Sequence, residues 1–277
     1  MNIGVVGTGL IGGSLAKAFH AGGNTVFGFD TDESILSFAQ ISGVIEDVLD
    51  EQSIGRCDAI FIAINPGDAV AYMKKTAPKI AKNTLVIDCC GVKRSVCSEC
   101  FPLARQFGFT FVGGHPMAGS HKAGFKNSRA DLFRGAYMIL VPPVYDDPGL
   151  LGRIEEILRP VGFGHLTVTT AEKHDEMIAF SSQMAHVVSN AYIKNPSARG
   201  HKGFSAGSYK DLTRVARLDA NMWGELCMDN NEFLVRELDC FIASVTSYRD
   251  ALAKNDLDEL VKLLEEGSRL KEELDHR

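Results

Sequence analysis

Residues 3–16 read IGVVGTGLIGGSLA, an apolar run that leads into a glycine-rich turn and the start of an amphipathic stretch. Gly7, Gly9 and Gly12 have the spacing GxGxxG directly after a predicted strand, residues 3–6. In this context the first glycine permits a tight turn, the second lets the backbone approach a pyrophosphate, and the third allows close helix–strand packing. The helix N-terminus adds free N–H groups and the positive end of its dipole. The stretch therefore predicts a dinucleotide site that opens a Rossmann-type domain.

The acidic residue after the second predicted strand indicates which dinucleotide binds. Asp30 follows that strand, residues 25–29, and lies eighteen residues beyond Gly12. A carboxylate there accepts hydrogen bonds from the adenosine ribose hydroxyls and repels a 2′-phosphate, so we expect NAD rather than NADP. Asp32 strengthens this preference, and no Arg follows within several residues. The residues expected to bind NAD are Gly7, Thr8, Gly9, Leu10, Ile11, Gly12 and Asp30, together with Asn65 and Pro66.

The pattern of apolar residues divides the chain into two parts. Short apolar runs bounded by Gly, Asn, Asp or Pro alternate with amphipathic stretches in the first part, as in a parallel sheet covered on both faces. Strand signals then disappear, and the later stretches have helical periodicity. We predict an α/β fold, with a Rossmann-type doubly wound parallel sheet in residues 1–170 and an all-helical domain in residues 171–277. The predicted strands are residues 3–6, 25–29, 59–64, 85–88, 110–113, 138–141 and 165–169.

Length and composition indicate the number of domains and argue against nucleic-acid-binding and membrane proteins. The 277 residues suffice for two domains. The net charge of −6 and the lack of a Lys/Arg block argue against nucleic acid as a partner. No apolar run approaches the roughly 18 residues of a membrane span, and the N-terminus lacks the features of a signal peptide. We therefore expect no membrane partner.

The seven cysteines bear on location and on metal binding. Their odd number, without a secretion signal, fits a reducing cytoplasm. Cys97 and Cys100 form a CxxC, but no second pair follows at the spacing of a zinc site. We expect two thiols one turn apart on a helix, and no metal.

Three side chains are candidates for chemistry. His115, in GGHPMAGS, follows the predicted strand 110–113, and a histidine at the carboxyl end of such a strand can act as a base at neutral pH; a capping or packing role is equally compatible. Arg214, in DLTRVAR, can clamp a carboxylate, although such residues more often form surface ion pairs. His186 lies in the apolar stretch MAHVV, where a histidine is usually a core residue.

Taken together, these segments resemble the prephenate/arogenate dehydrogenase family of tyrosine biosynthesis. Five segments in the same order carry the resemblance, which covers essentially the whole chain. Trp223 also follows the last of them at the distance found in the family. The segments are GTGLIGGSLA (7–16), DCCGVK (88–93), GGHPMAGS (113–120), AEKHDEMIAFSSQMAH (171–186) and FSAGSYKDLTRVA (204–216).

The resemblance implies a reaction and a set of roles. Prephenate would lose a hydride from ring C4 to NAD⁺ and its hydroxyl proton to His115, and loss of CO₂ from C1 would give 4-hydroxyphenylpyruvate. Arg214 would bind a substrate carboxylate, His186 would hydrogen-bond the substrate, and Lys210 would add positive charge. The catalytic set is then His115, His186 and Arg214. The helical half would form a homodimer, so that some of these groups reach across the interface.

Some positions depart from the family pattern. Gly91 stands where the family has a serine that bonds the catalytic histidine and the cofactor, so the resemblance places Gly91 among the NAD-binding residues. A water or Ser120 would then replace the missing hydroxyl. His121 stands where the family often has Glu, and a histidine does not favour the ammonium group of arogenate, so we expect prephenate as the substrate. We therefore place Ser120 and His121 beside Lys210 and Arg214 as substrate-binding residues. Gln183 and Ala185 replace the first histidine and the proline of the family's SHxPH.

Three alternatives remain open. The first is an arogenate dehydrogenase of the same family. The second is another two-domain NAD-dependent dehydrogenase, such as a β-hydroxyacid dehydrogenase, although that chemistry usually relies on a helical lysine. The third is a non-catalytic NAD-sensing protein, which would not need His115, His186 and Arg214 together.

Overall fold

The computed structural model describes residues 1–119 and 122–276. In this part of the chain eight strands form one sheet in the order β3-β2-β1-β4-β5-β6-β7-β8. All neighbouring strands are parallel except β6 and β7. The sheet confirms the predicted Rossmann-type fold class. The strands are β1 (Asn2–Val6), β2 (Thr25–Phe29), β3 (Asp47–Val48), β4 (Ala59–Ile62), β5 (Leu85–Asp88), β6 (Thr110–Pro116), β7 (Tyr137–Val141) and β8 (His165–Val168).

Two features of the sheet were not predicted from the pattern of apolar residues. β3 has only two residues, too few to produce a periodic signal. β7 runs against β6, and the described part of their connection contains a single 3₁₀ turn, Phe125–Asn127, instead of a crossover helix. A parallel neighbour would require such a crossover, whereas an antiparallel one does not.

Helices cover both faces of the sheet. Local signals define their ends: the Asp32 side chain accepts hydrogen bonds from the N–H groups of Ser34 and Ile35, and Gly108 ends the fourth helix in the left-handed conformation at φ +85°. The helices of this first part are α1 (Leu10–Ala21), α2 (Glu33–Ile41), α3 (Pro66–Thr76), α4 (Arg94–Phe107) and α5 (Pro148–Leu158).

The core consists of two apolar layers, one on each face of the sheet. Successive side chains of a strand point to opposite faces; in β4, Phe61 belongs to the layer that includes Phe19 of α1, and Ile60 to the layer that includes Met73 of α3. All four residues of β4 are buried. Cys97 and Cys100 are buried in the second layer as free thiols on α4, as the helical interpretation of the CxxC predicts.

The second part of the chain is helical. Its first helix begins after Thr170, whose hydroxyl accepts a hydrogen bond from the backbone N–H of Lys173 at 3.0 Å. A π-helical turn, Ala179–Met184, joins the first two helices into one continuous segment. The helices are α6 (Ala171–Ile178), α7 (Ala185–Tyr192), α8 (Gly207–Thr213), α9 (Ala220–Asp229), α10 (Asn231–Ala253) and α11 (Leu257–Asp275).

The last two helices expose large apolar side chains. Within the described residues, α11 buries none of its side chains in the single chain. A run of exposed apolar residues of this size is typical of a surface that contacts another protein. The exposed apolar residues of α10 and α11 are Val235, Phe241, Ile242, Val245, Leu252, Leu257, Val261, Leu264, Leu270 and Leu274.

No helix in residues 1–119 or 122–276 is both long and apolar enough to cross a membrane.

Candidate active site

The glycine loop between β1 and α1 has the geometry that a dinucleotide requires. Gly7 has φ +82°, and a Cβ there would lie 2.4 Å from Cγ2 of Ile64. A Cβ on Gly12 would lie 1.8 Å from the carbonyl oxygen of Gly7. A Cβ on Gly9, by contrast, would have no atom within 4 Å. The first and last glycines are therefore needed by the fold, whereas the middle one leaves the backbone open to a ligand.

Asp30, at the end of β2, holds this loop in place. Its Oδ2 accepts hydrogen bonds from the backbone N–H and the hydroxyl of Thr8, both at 2.7 Å. Its Oδ1 accepts one from the backbone N–H of Asp32 at 3.0 Å. A carboxylate has about four acceptor positions, and three are occupied here, so Asp30 can still accept a hydrogen bond from a ribose hydroxyl. Thr8, Asp30 and the open backbone at Gly9 thus fit a dinucleotide.

Helix α9 lies against the loops that follow β4 and β5. The backbone N–H of Gly67, next to Asn65 and Pro66 at the start of α3, donates to Oε1 of Glu225 at 2.8 Å. A Cβ on Gly91 would lie 3.2 Å from Cδ2 of Leu226. The two predicted cofactor segments are therefore next to the helical part of the chain.

His115 forms a chain of hydrogen bonds with two residues of α6. It lies on β6, which continues to Pro116 and so extends beyond the predicted strand end at residue 113. Its Nδ1 is 2.8 Å from Nε2 of His174, and Nδ1 of His174 is 2.7 Å from Oδ1 of Asp175. His174 and Asp175 are buried.

Burial and hydrogen bonding together determine the charge states of His115, His174 and Asp175. Burial, with smaller contributions from His174 and Lys93, lowers the pKa of His115 well below its ordinary value. Burial also lowers the pKa of His174, against the opposing effect of Asp175. Burial alone would raise the pKa of Asp175, but hydrogen bonds from His174 and from the backbone N–H groups of Arg94 and Lys93 lower it. At neutral pH both imidazoles are therefore neutral and Asp175 is ionised.

A buried ion pair supports the strand that carries His115. Lys93 and Asp88 pair with both side chains fully buried. Nζ of Lys93 also donates to the carbonyl of Gly114 at 2.6 Å, and the N–H of Gly114 donates to Oδ1 of Asp88 at 3.1 Å. Burial would lower the pKa of Lys93, but the carboxylate of Asp88 raises it. The pair therefore holds the backbone directly before His115.

His186 belongs to a second group of residues, farther along the α6–α7 segment. Its ring stacks on Trp223 at 3.9 Å between centroids, and its Nδ1 donates to the carbonyl of Ser182 at 2.9 Å. Ser189 and Asn190 donate to the carbonyls of Leu212 and Ala216, at 2.7 and 3.0 Å. These two hydrogen bonds attach residues 212–216, which include the TRVA segment, to the helix that carries His186.

The remaining predicted substrate residues are on the surface or beyond the described part of the chain. Lys210 on α8 and Arg214 at its end are exposed. Within residues 1–119 and 122–276, neither side chain forms a hydrogen bond or an ion pair. Ser120 and His121 lie outside the described residues.

The sequence interpretation missed four residues that surround His115: Asp88, Lys93, His174 and Asp175. All four lie in two segments that carry the family resemblance, DCCGVK and AEKHDEMIAFSSQMAH. The adjacent pair His174–Asp175, at the start of the helical half, was the available signal. An aspartate beside a histidine commonly sets which ring nitrogen carries the proton.

These features define a class: two-domain proteins with a Rossmann-type nucleotide-binding domain and a histidine at the carboxyl edge of its sheet. Residues 15–166 match the family model described as prephenate dehydrogenase, nucleotide-binding domain. Residues 170–266 match the model described as prephenate dehydrogenase, dimerization domain. The chain belongs to the prephenate dehydrogenase family.

Individual relatives agree with this assignment. A cyclohexadienyl dehydrogenase of Zymomonas mobilis is 28% identical, with 99% of this chain and 97% of that protein covered. A prephenate dehydrogenase of Bacillus subtilis is 26% identical, with 93% and 72% covered. The crystal structure of prephenate dehydrogenase from A. aeolicus, in complex with hydroxyphenyl propionate and NAD⁺, superposes with a TM-score of 0.85 at 25% identity and covers 99% of this chain and 98% of that one.

Proposed function

We propose that this chain catalyses the NAD-dependent oxidative decarboxylation of prephenate to 4-hydroxyphenylpyruvate, a step of tyrosine biosynthesis. The observation that carries the proposal is the neutral, partly buried His115 at the carboxyl end of β6. β1 and β6 run in the same direction, so the glycine loop after β1 and His115 lie on the same edge of the sheet. Ligands of open α/β sheets bind at that edge.

The residues proposed to hold NAD are those of the glycine loop, together with Asp30 for the adenosine ribose. Leu10 and Ile11 form the first turn of α1, where backbone N–H groups point toward a bound phosphate. Asn65, Pro66 and Gly91 would line the other half of the cofactor site, beneath α9. When bound, NAD supplies the acceptor for the hydride that leaves the substrate.

His115 is proposed as the base that accepts the proton of the substrate C4 hydroxyl. A neutral imidazole with a lowered pKa can accept that proton at physiological pH. Arg214 and Lys210 are proposed to bind the substrate carboxylates, since their charged groups lack partners among the described residues. His186, stacked on Trp223, would hydrogen-bond the substrate.

Prephenate is proposed over arogenate because His121 replaces a residue that is often acidic in the family. The same assignment places Ser120 and His121 at the substrate, although both lie outside the described residues. Arogenate differs from prephenate in carrying an ammonium group in place of the keto oxygen. Comparing kcat/KM for the two substrates therefore tests whether His121 favours prephenate.

We further propose that the protein is a homodimer located in the cytoplasm. The domain boundary is placed near residue 170, where Thr170 caps α6, with NAD bound by residues 1–170 and dimerisation carried out by residues 171–277. The exposed apolar side chains of α10 and α11 would form the homodimer contact. Seven free thiols support a reducing cytoplasm as the location.

The decisive experiment is NADH formation at 340 nm by the purified protein with NAD⁺ and prephenate. The comparison substrates are arogenate and, separately, a 3-hydroxy acid. The comparison cofactor is NADP⁺. We expect the highest kcat/KM for prephenate with NAD⁺. A preference for arogenate would overturn the substrate, turnover of the hydroxy acid alone would support a different dehydrogenase, and NAD binding without any turnover would support a sensor.

A further inference from the structure

We propose that His174 and Asp175 are positioning residues that keep the proton of His115 on Nδ1, which leaves the lone pair of Nε2 to accept the substrate proton. The inference rests on the proposed role of His115 as the base. It adds the two residues that prepare this base.

Asp175 determines the first proton position. An ionised carboxylate only accepts hydrogen bonds, so Nδ1 of His174 must donate to Oδ1 of Asp175 across their 2.7 Å separation. A neutral His174 carries one ring proton. Its Nε2 is therefore unprotonated and can only accept.

His174 in turn determines the proton position on His115. Nε2 of His174 lies 2.8 Å from Nδ1 of His115, and a hydrogen bond between them requires the proton on Nδ1 of His115. A neutral His115 then has its lone pair on Nε2. The tautomer of the proposed base is thus set by the fold before any substrate binds.

Asp175 is held firmly enough to perform this role. It accepts the backbone N–H groups of Lys93 at 2.7 Å and Arg94 at 2.9 Å, at the N-terminus of α4. The positive end of a helix dipole favours a carboxylate at that position. The backbone carbonyl of Asp175 also accepts a hydrogen bond from the side chain of Asn230 at 2.8 Å. Both the carboxylate and the backbone of Asp175 are therefore held in place, which fixes the direction of its hydrogen bond to His174.

This arrangement bears on position 91, where the chain has no hydroxyl to offer His115. Nδ1 of His115 already has His174 as its partner, and Leu226 lies against the site where a side chain on Gly91 would begin. His115 therefore does not depend on a hydroxyl at position 91 for its orientation. Among the described residues, the charged groups that act on the two histidines are Lys93, Asp88 and Asp175. Arg94 in turn pairs with Asp175.

The direct test is nuclear magnetic resonance of the full-length protein with ¹⁵N-labelled histidine side chains, at neutral pH and without substrate. Long-range ¹H–¹⁵N correlations distinguish protonated from unprotonated ring nitrogens, and His115→Asn and His174→Gln spectra assign the signals. We expect protonated Nδ1 and bare Nε2 in both His115 and His174. A proton on Nε2 of His115 would overturn the proposal. This result does not depend on turnover, so a failure to oxidise prephenate would count against the proposed function alone.

Kinetics provide the second test. His174→Leu removes the acceptor and should lower kcat about 10²-fold, because a misplaced proton removes much of a general-base contribution. In His174→Gln the amide oxygen can accept from Nδ1 of His115, and most of kcat should return. His165→Gln, at the exposed edge strand β8, is the control and should match the wild type. Equal losses in the Leu and Gln variants, with NAD affinity and Tm preserved in both, would contradict the positioning role.

Discussion

The carboxylate of Asp175, in the first helix of the helical half, accepts the backbone N–H of Lys93 at 2.7 Å. Lys93 precedes α4 in the Rossmann half, and its own side chain forms the buried pair with Asp88. This hydrogen bond, together with the one from the backbone N–H of Arg94 to the same carboxylate, connects the two halves of the chain beside His115. The geometry of this site therefore depends on how α6 docks against α4.

Replacing His115 by Asn should remove the base while leaving the cofactor site intact. We expect kcat to fall by roughly 10²–10⁴, the usual size of a general-base contribution. The affinity for NAD, measured by titration, should change little, because no residue of the glycine loop is altered. Turnover near the wild-type value would exclude His115 as the base.

The pH dependence of kcat/KM should follow the lowered pKa of His115. The base must be neutral, so activity is present above its pKa and is lost as the pH falls through it. Because burial lowers this pKa well below 6.5, kcat/KM should stay level from pH 7 to below pH 6.5. A pH profile with prephenate at saturating NAD⁺ checks this expectation. An acidic limb centred at pH 6.5 or higher would contradict a base whose pKa is lowered by burial.

Alanine at two glycines of the loop should separate folding from cofactor binding. Gly9→Ala adds a Cβ with no atom within 4 Å, so Tm should be unchanged while NAD affinity falls by about tenfold or more. Gly12→Ala places a Cβ 1.8 Å from the carbonyl oxygen of Gly7. Such overpacking should lower the free energy of unfolding by about 1–3 kcal/mol, so both Tm and NAD affinity should fall. Calorimetry and NAD titration of both variants provide the comparison. Full NAD affinity in Gly9→Ala would argue against pyrophosphate at this backbone.

Arg214→Ala should weaken substrate binding without affecting stability. The side chain is exposed and has no partner within the described residues, so Tm should remain at the wild-type value. Loss of a charge-assisted hydrogen bond to a carboxylate should raise the KM for prephenate roughly tenfold to a hundredfold. Arg217→Ala, an exposed arginine three positions later, is the matched control. Equal effects of the two substitutions on KM would indicate only a general loss of positive charge.

Lys93→Met should strongly destabilise the fold. It leaves the Asp88 carboxylate buried and uncompensated, which typically costs about 3–5 kcal/mol. Lys74→Met, which removes a half-exposed pair with Glu99, should cost less than about 1 kcal/mol. Denaturant unfolding measures both differences. Similar free energies of unfolding for the two variants would mean that the buried pair adds little to stability.

The sequence by itself determined the Rossmann-type fold, the NAD-type loop and the change to helices near residue 170. These are local properties: GxGxxG, Asp30 and the spacing of apolar residues act within one strand–turn–helix unit or one element. His115 was identifiable because it follows a predicted strand.

Tertiary structure alone decided what His115 contacts. His174 is 59 residues away in the chain, and the pair forms only because α6 docks beside the carboxyl end of β6. The buried pair of Lys93 and Asp88 and the reversed direction of β7 likewise depend on packing between elements. Periodicity reports which face of an element is buried, but it does not report which side chain of another element meets that face.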